Sequence, residues 1–162
     1  MVFMLMLTPD PLTINGALPN FTRTTHIFLP INDTRNASVS KSGSHWSLLV
    51  VSVIDRVAFH YDSHPLSNFN RNESRQALDK ICTLLRRSMK WINMDDSLQQ
   101  ENSSDCGVFV CIQMRYLLFH RLMRATGLEK VSMSMGEKLV DVSMARREIR
   151  KTIQAWREWE QR

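Results

Sequence analysis

The chain has 162 residues, 43% of them hydrophobic and 23% charged, with only five glycines and five prolines. That is enough for one ordinary core but cramped for two, and it excludes wholesale disorder and a fibrous design. The net charge of +5 is uneven, with 10 basic and 10 acidic side chains in residues 1–105 against 11 and 6 in residues 106–162. Acids interspersed in the basic last third, Glu148, Glu158 and Glu160, suit a solvated helix face better than a nucleic-acid surface.

The apolar stretch Met1–Leu7 falls well short of the roughly 20 residues a membrane span needs. No Lys or Arg precedes it and no small-residue cleavage site follows, so it fits a signal peptide poorly. Seven apolar residues would be costly to leave exposed, and they read as the interior of a longer domain. Residues 8–24, rich in Pro, Thr and Asn, read as a loop with brief ordered pieces. His26 to Leu29 suits a short strand stopped by Pro30, and residues 32–44 form a polar, exposed loop.

His45 to Ile54 (HWSLLVVSVI) is the strongest strand signal, apolar on both faces as in a buried central strand. Asp55-Arg56 makes a tight connection to a second strand, Val57 to Tyr61, giving a hairpin with Asp62 just past its end. After a polar stretch over 63–73, Ala77, Leu78, Ile81, Leu84, Leu85 and Met89 recur at steps of three and four, predicting a helix from Ser74 to about Met89. Trp91 to Met94 is a short strand candidate, and Asp95 to Asp105 a polar loop. Cys106 opens CGVFVCIQMRYLLFHRLM, whose length favours a helix and whose apolarity favours a buried one, with Ser103, Ser104 and Asp105 as candidate N-caps. Val142, Ala145, Ile149, Ile153 and Trp156 predict a final amphipathic helix within 137–162. No repeat is visible. A few strands among helices, in mixed order, give an α+β single domain over 1–162.

Three cysteines, Cys82, Cys106 and Cys111, are an odd count without framework spacing, which argues for a reducing compartment, cytoplasm or nucleus. Cys106 is the one placed in the first turn of a helix, where amides and the helix dipole favour a thiolate. Gly107 beside it leaves room for a substrate backbone. A small buried hydrophobe is the competing account of Cys106, and the preferred one for Cys82 and Cys111. A nucleophilic cysteine needs a base and the base an orienter. His45 starts one hairpin strand and Asp62 ends the next, so antiparallel pairing makes them neighbours. His26, His60, His64 and His120 have no such acidic partner at a strand end, although His60 alternates with Asp62 and could share its face. Gln100, six residues before Cys106, could join the Cys106 N–H in holding an oxyanion. No zinc spacing or phosphate-cradling loop occurs, so no metal and no cofactor is expected.

Together the strings GSHWSLLV (43–50), FHYDSH (59–64) and QQENSSDCGVFVC (99–111) resemble the ubiquitin-like-protein-specific cysteine proteases, which process SUMO or NEDD8. The order His, Asp, Cys also differs from that of papain-like enzymes in which Cys comes first. The resemblance covers roughly residues 25–120. It implies a papain-like-superfamily core, a short mixed sheet flanked by helices with the nucleophile at the N-terminus of a buried helix. It implies that His45 is the base, Asp62 its orienter, Cys106 the nucleophile and Gln100 an oxyanion donor. Trp46 would cover the channel that admits a Gly-Gly tail, or else be a core aromatic. HYDSH with Leu66-Ser67-Asn68 looks more like the NEDD8-specific branch than the SUMO branch.

The expectation is therefore a monomeric thiol peptidase and isopeptidase whose partner is NEDD8 or, second, SUMO, without nucleic acid, membrane or cofactor. The family's upstream helices, with their Trp-Leu-x-Asp-type motif, do not precede residue 25, which suggests an N-terminally truncated member. The alternatives are a remnant that binds a ubiquitin-like protein without cleaving it, an acetyltransferase of the same broad clan, and a nucleic-acid module.

Overall fold

Four strands lie side by side in chain order: β1 (His26–Asn32), β2 (Trp46–Ser52), β3 (Val57–Tyr61) and β4 (Lys90–Asn93). β1, β2 and β3 are antiparallel, and β4 runs parallel to β3. The computed structural model describes residues 2–21, 23–34, 43–64, 69–125, 130–136 and 140–161. The small mixed sheet with helices bears out the α+β class. Most of the loop expected over 32–44, and Leu66-Ser67-Asn68, lie outside the described residues.

The apolarity of β2 on both faces follows from its place. Leu49 and Val51 point to one side, into a core with Leu29, Ile31, Ala77, Leu78 and Ile81. Leu48 and Val50 point to the other, onto Tyr61, Phe109, Val110 and Leu117. The first side is covered by α1 (Val2–Leu7) and α2 (Arg71–Leu85), the second by α3 (Cys106–Tyr116). From Ser47 to Ser52 every residue is buried, as a strand between two helical layers requires. Truncating the fully buried Leu49 to Ala is expected to cost about 3 kcal/mol, read as a lower urea midpoint with unchanged slope.

Several boundaries differ from the sequence expectation. β1 runs through Pro30, which sits opposite Leu48. Its only partner among the described residues is β2, and an edge strand tolerates a residue without an N–H on its open side. Leu5 of α1 is 2% exposed in the core, and a 3-10 turn (Pro11–Ala17) is one of the brief ordered pieces expected within residues 8–24. α2 stops at Leu85 because Arg86 turns left-handed (φ 51°), its N–H closing onto the carbonyls of Cys82 and Thr83. The long segment from Cys106 is helical as expected, but passes into a π-turn (Leu117–Arg121) and a 3-10 turn (Leu122–Arg124). A wider turn leaves no mark in a 3.6-residue pattern.

The last helix, α4 (Val142–Glu160), is N-capped by Asp141, whose carboxylate accepts the Met144 N–H at 2.9 Å. It packs against α3 through its first half, with Arg115 and Glu148 paired at 2.5 Å. Its apolar stripe goes further than its packing does: Trp156 and Trp159 are 69% and 71% exposed.

Candidate active site

The hairpin register sets the position of the histidine and the acid. Leu48 pairs with Tyr61, so the strand ends that carry His45 and Asp62 lie at the same edge of the sheet. Their side chains meet: His45 Nε2 and Asp62 Oδ1 are 2.6 Å apart, with both residues buried. The same carboxylate oxygen also accepts the His64 backbone N–H at 2.9 Å. Burial works against ionisation of Asp62, but the hydrogen bonds from His45 and from the His64 N–H, with the electrostatic influence of the two nearby imidazoles, outweigh it and lower its pKa. The rings of His64 and Phe69 stand 5.7 Å from that of His45 and close the outer side.

His45 is also gripped by its backbone. Its carbonyl accepts from Asn32 Nδ2 at 2.8 Å and Asn70 Nδ2 at 3.3 Å, and its N–H donates to Asp33 Oδ1 at 3.0 Å. Asp33 takes the Ser44 N–H at 2.7 Å as well. Sequence reasoning missed these three positioning residues. Asn70 lies just before α2, in the stretch expected to be an irregular polar one, and nothing in its type showed that its side chain would face the sheet edge. Gly43 belongs to the same device: a Cβ there would lie 1.9 Å from Asn32 Oδ1. Asn32 cannot yield freely, because its Oδ1 also accepts the Thr34 N–H. Gly43→Ala should therefore loosen the hold on His45 and cost about 1–3 kcal/mol of stability, read as a lower urea midpoint.

Cys106 is the first residue of α3 and is buried, and among the described residues no hydrogen bond joins it to His45. A Cβ on Gly107 would meet nothing within 4 Å, so open space lies beside the sulfur's helix turn, as the sequence suggests. Gln100 is 4% exposed and held by Ser63 twice, through Ser63 Oγ onto Oε1 at 2.7 Å and its own N–H onto the Ser63 carbonyl at 2.8 Å. Its Nε2 donates to the Asn102 carbonyl at 2.5 Å, which leaves one amide hydrogen. Ser63 follows Asp62, so the acid and the loop before Cys106 are tied together. Trp46 is half-buried at the start of β2 against the α3-side core.

His60 does not share the site with His45 as a second base. It is fully buried between Ser47 Oγ (3.0 Å) and Asn93 Oδ1 (3.1 Å), and burial lowers its pKa. Asp105 is the N-cap of α3 by position, but neither it nor the neighbouring serines cap by side chain. Its carboxylate is turned to Asn102 Nδ2 at 2.6 Å and to Arg146 of α4, and Ser104 bonds Asn102 instead.

Residues 13–149 match the Ulp1 protease family, C-terminal catalytic domain. The chain belongs to that family. Its curated relatives include NEDD8-specific protease 2 of Schizosaccharomyces pombe, 40% identical over 154 residues that make up 94% of this chain and 36% of the relative. Human sentrin-specific protease 8 is 38% identical over 86 residues, 52% of this chain and 39% of that protein. The Ulp1-family chain thus spans little more than a third of the length of these relatives. Among solved structures it resembles the Xanthomonas campestris effector XopD bound to ubiquitin, with TM-score 0.62, 22% identity, and 93% and 74% of the two chains covered. The Ulp1 protease domain in complex with yeast SMT3 follows at TM-score 0.51 and 16% identity, covering 71% and 52%. At such identities the likeness is one of fold. This Ulp1-family domain is of the cysteine-protease type, and the three sequence strings that carry the resemblance lie inside the matched segment.

Proposed function

We propose that this Ulp1-family domain hydrolyses the peptide or isopeptide bond after the C-terminal Gly-Gly of a ubiquitin-like modifier, with NEDD8 as the preferred one. The observation that carries the reading is the buried 2.6 Å His45–Asp62 bond at the same sheet edge as the Gln100 loop that leads into Cys106. The preference for NEDD8 is supported by the names of the relatives, two of them NEDD8-specific proteases of fission yeast.

In this reading the Cys106 thiolate attacks the carbonyl carbon of the modifier's last glycine. The oxygen that becomes negative is met by the remaining Gln100 amide hydrogen and by the first amides of α3. Collapse of the intermediate breaks the C–N bond, and His45 gives its proton to the departing amine. His45 then takes a proton from water, which attacks the thioester and releases the modifier's carboxylate and the thiol. Asp62 keeps the imidazole oriented and balances its charge while it is protonated. Trp46 and the open space beside Gly107 frame a slot for a tail without side chains. No step needs a cofactor. Three free cysteines fit a reducing compartment, cytoplasm or nucleus.

The deciding experiment is incubation with fluorogenic C-terminal conjugates of NEDD8 and SUMO. NEDD8 is expected to be cleaved and SUMO much more slowly. Cleavage of SUMO alone would move the substrate to that branch. The second reading is a non-cleaving binder of a ubiquitin-like protein. A modifier with an electrophilic C-terminus separates the two, since a binder alone forms no covalent adduct at Cys106.

A further inference from the structure

A residue at an N-cap ordinarily turns its side-chain oxygen onto the second or third amide of its helix. Asp105 stands at that position immediately before Cys106, yet its side chain makes no such bond. One carboxylate oxygen takes Asn102 Nδ2 at 2.6 Å, and the other is ion-paired with Arg146, one turn into α4. Asp105 is buried, while the Arg146 side chain is about half exposed. The surroundings are otherwise acidic: Glu101, Asp105 and Asp141 line a cleft of about 460 Å³ beside the start of α3. Arg146 is the cation that meets Asp105 there, and Asn102 the neutral donor.

We propose that Arg146 is a positioning residue that holds the Asp105 carboxylate off the first amides of α3 and so keeps them open for the sulfur anion and the developing oxyanion. Capping would be the easier fate for Asp105 if Arg146 were absent. A carboxylate in that place would occupy the donors the reaction needs, and would set a negative charge against a second one forming on Cys106. Asn102 serves both ends of this loop. Its side chain holds Asp105, and its carbonyl holds the Gln100 carboxamide. The last helix thereby reaches the centre of the site through one guanidinium. The inference rests on the assignment of Cys106 as nucleophile.

The test is a cycle of Arg146→Ala, Asp105→Ala and the double variant, with Arg146→Lys as a conservative control. Two readouts are taken for each protein: the iodoacetamide alkylation rate of Cys106 at pH 7, followed by the mass of its peptide, and kcat and KM on the NEDD8 conjugate. Arg146→Ala should slow both alkylation and kcat by about 3- to 20-fold with little change in KM. Arg146→Lys should recover most of that loss. The double variant should be faster than Arg146→Ala, because the misplaced carboxylate is gone. An arginine that merely glued α4 to the core would give a double variant as slow as the single one or slower, and that result overturns the proposal. So does wild-type alkylation in a folded Arg146→Ala protein, with folding checked by urea titration. Should the four variants and wild type alkylate in the expected pattern while wild type cleaves neither modifier, the positioning stands and the protease assignment is what fails.

Discussion

Replacing Cys106 by Ala is expected to remove hydrolysis of the modifier conjugate altogether, by at least about four orders of magnitude. The hydroxyl-free, thiol-free side chain leaves water as the only nucleophile, and residual rate enhancement from the amides and from binding is all that remains. The same change should leave folding almost untouched. Cys106 contributes one sulfur to a helix start whose packing is carried by Phe109 and Val110, so the urea midpoint should move by less than about 1 kcal/mol equivalent. Binding of the modifier should survive for the same reason. The combination is diagnostic: wild type and Cys106→Ala with equal, slow background rates would mean that the thiol does no chemistry. Cys82→Ala and Cys111→Ala serve as controls. Burial pushes both of those thiols up rather than toward the thiolate, and neither should change the rate.

Much of this site was legible before any coordinates. Where the two apolar runs of a hairpin stop is readable, and that brings His45 and Asp62 to one sheet edge. The same holds for Cys106 at a helix start, because a polar loop gives way there to an unbroken apolar run. What could not be read are the groups that hold these three. Asn32, Asp33 and Asn70 bond to the His45 backbone across 13, 12 and 25 residues of chain, and long-range polar bonds leave no periodicity behind. Asp105 was misjudged for a related reason. Local logic makes it a cap, and only the arrival of Arg146, 41 residues later, gives the carboxylate another partner. α4 carries a stripe that would ordinarily be buried throughout, yet its indoles stay in solvent. A stripe shows which face is apolar but not how far a neighbour extends along it.

Asp62 carries the second large effect, and it appears in both rate and stability. Asp62→Ala should lower kcat by about three orders of magnitude, because His45 loses the acceptor that fixes its ring and the charge that balances it when protonated. Asp62→Asn should fall between Ala and wild type: an amide oxygen can still accept from Nε2 but offers no charge. If Asn were as poor as Ala, orientation would count for nothing and charge for everything. If Asn equalled wild type, the reverse would hold.

The stability side has a definite sign. The folded protein holds the Asp62 carboxyl below its ordinary range, so the ionised form is bound more tightly in the folded state than in the unfolded one. The resulting stabilisation is complete above the unfolded pKa, near 4, and is lost as the pH falls through the folded value. Urea titrations should therefore show wild type more stable than Asp62→Asn near pH 5, with the gap closing toward pH 3. A gap that instead widened in acid would show the carboxyl to be protonated more easily in the folded protein. It would then be unable to hold the His45 imidazolium that the reaction passes through.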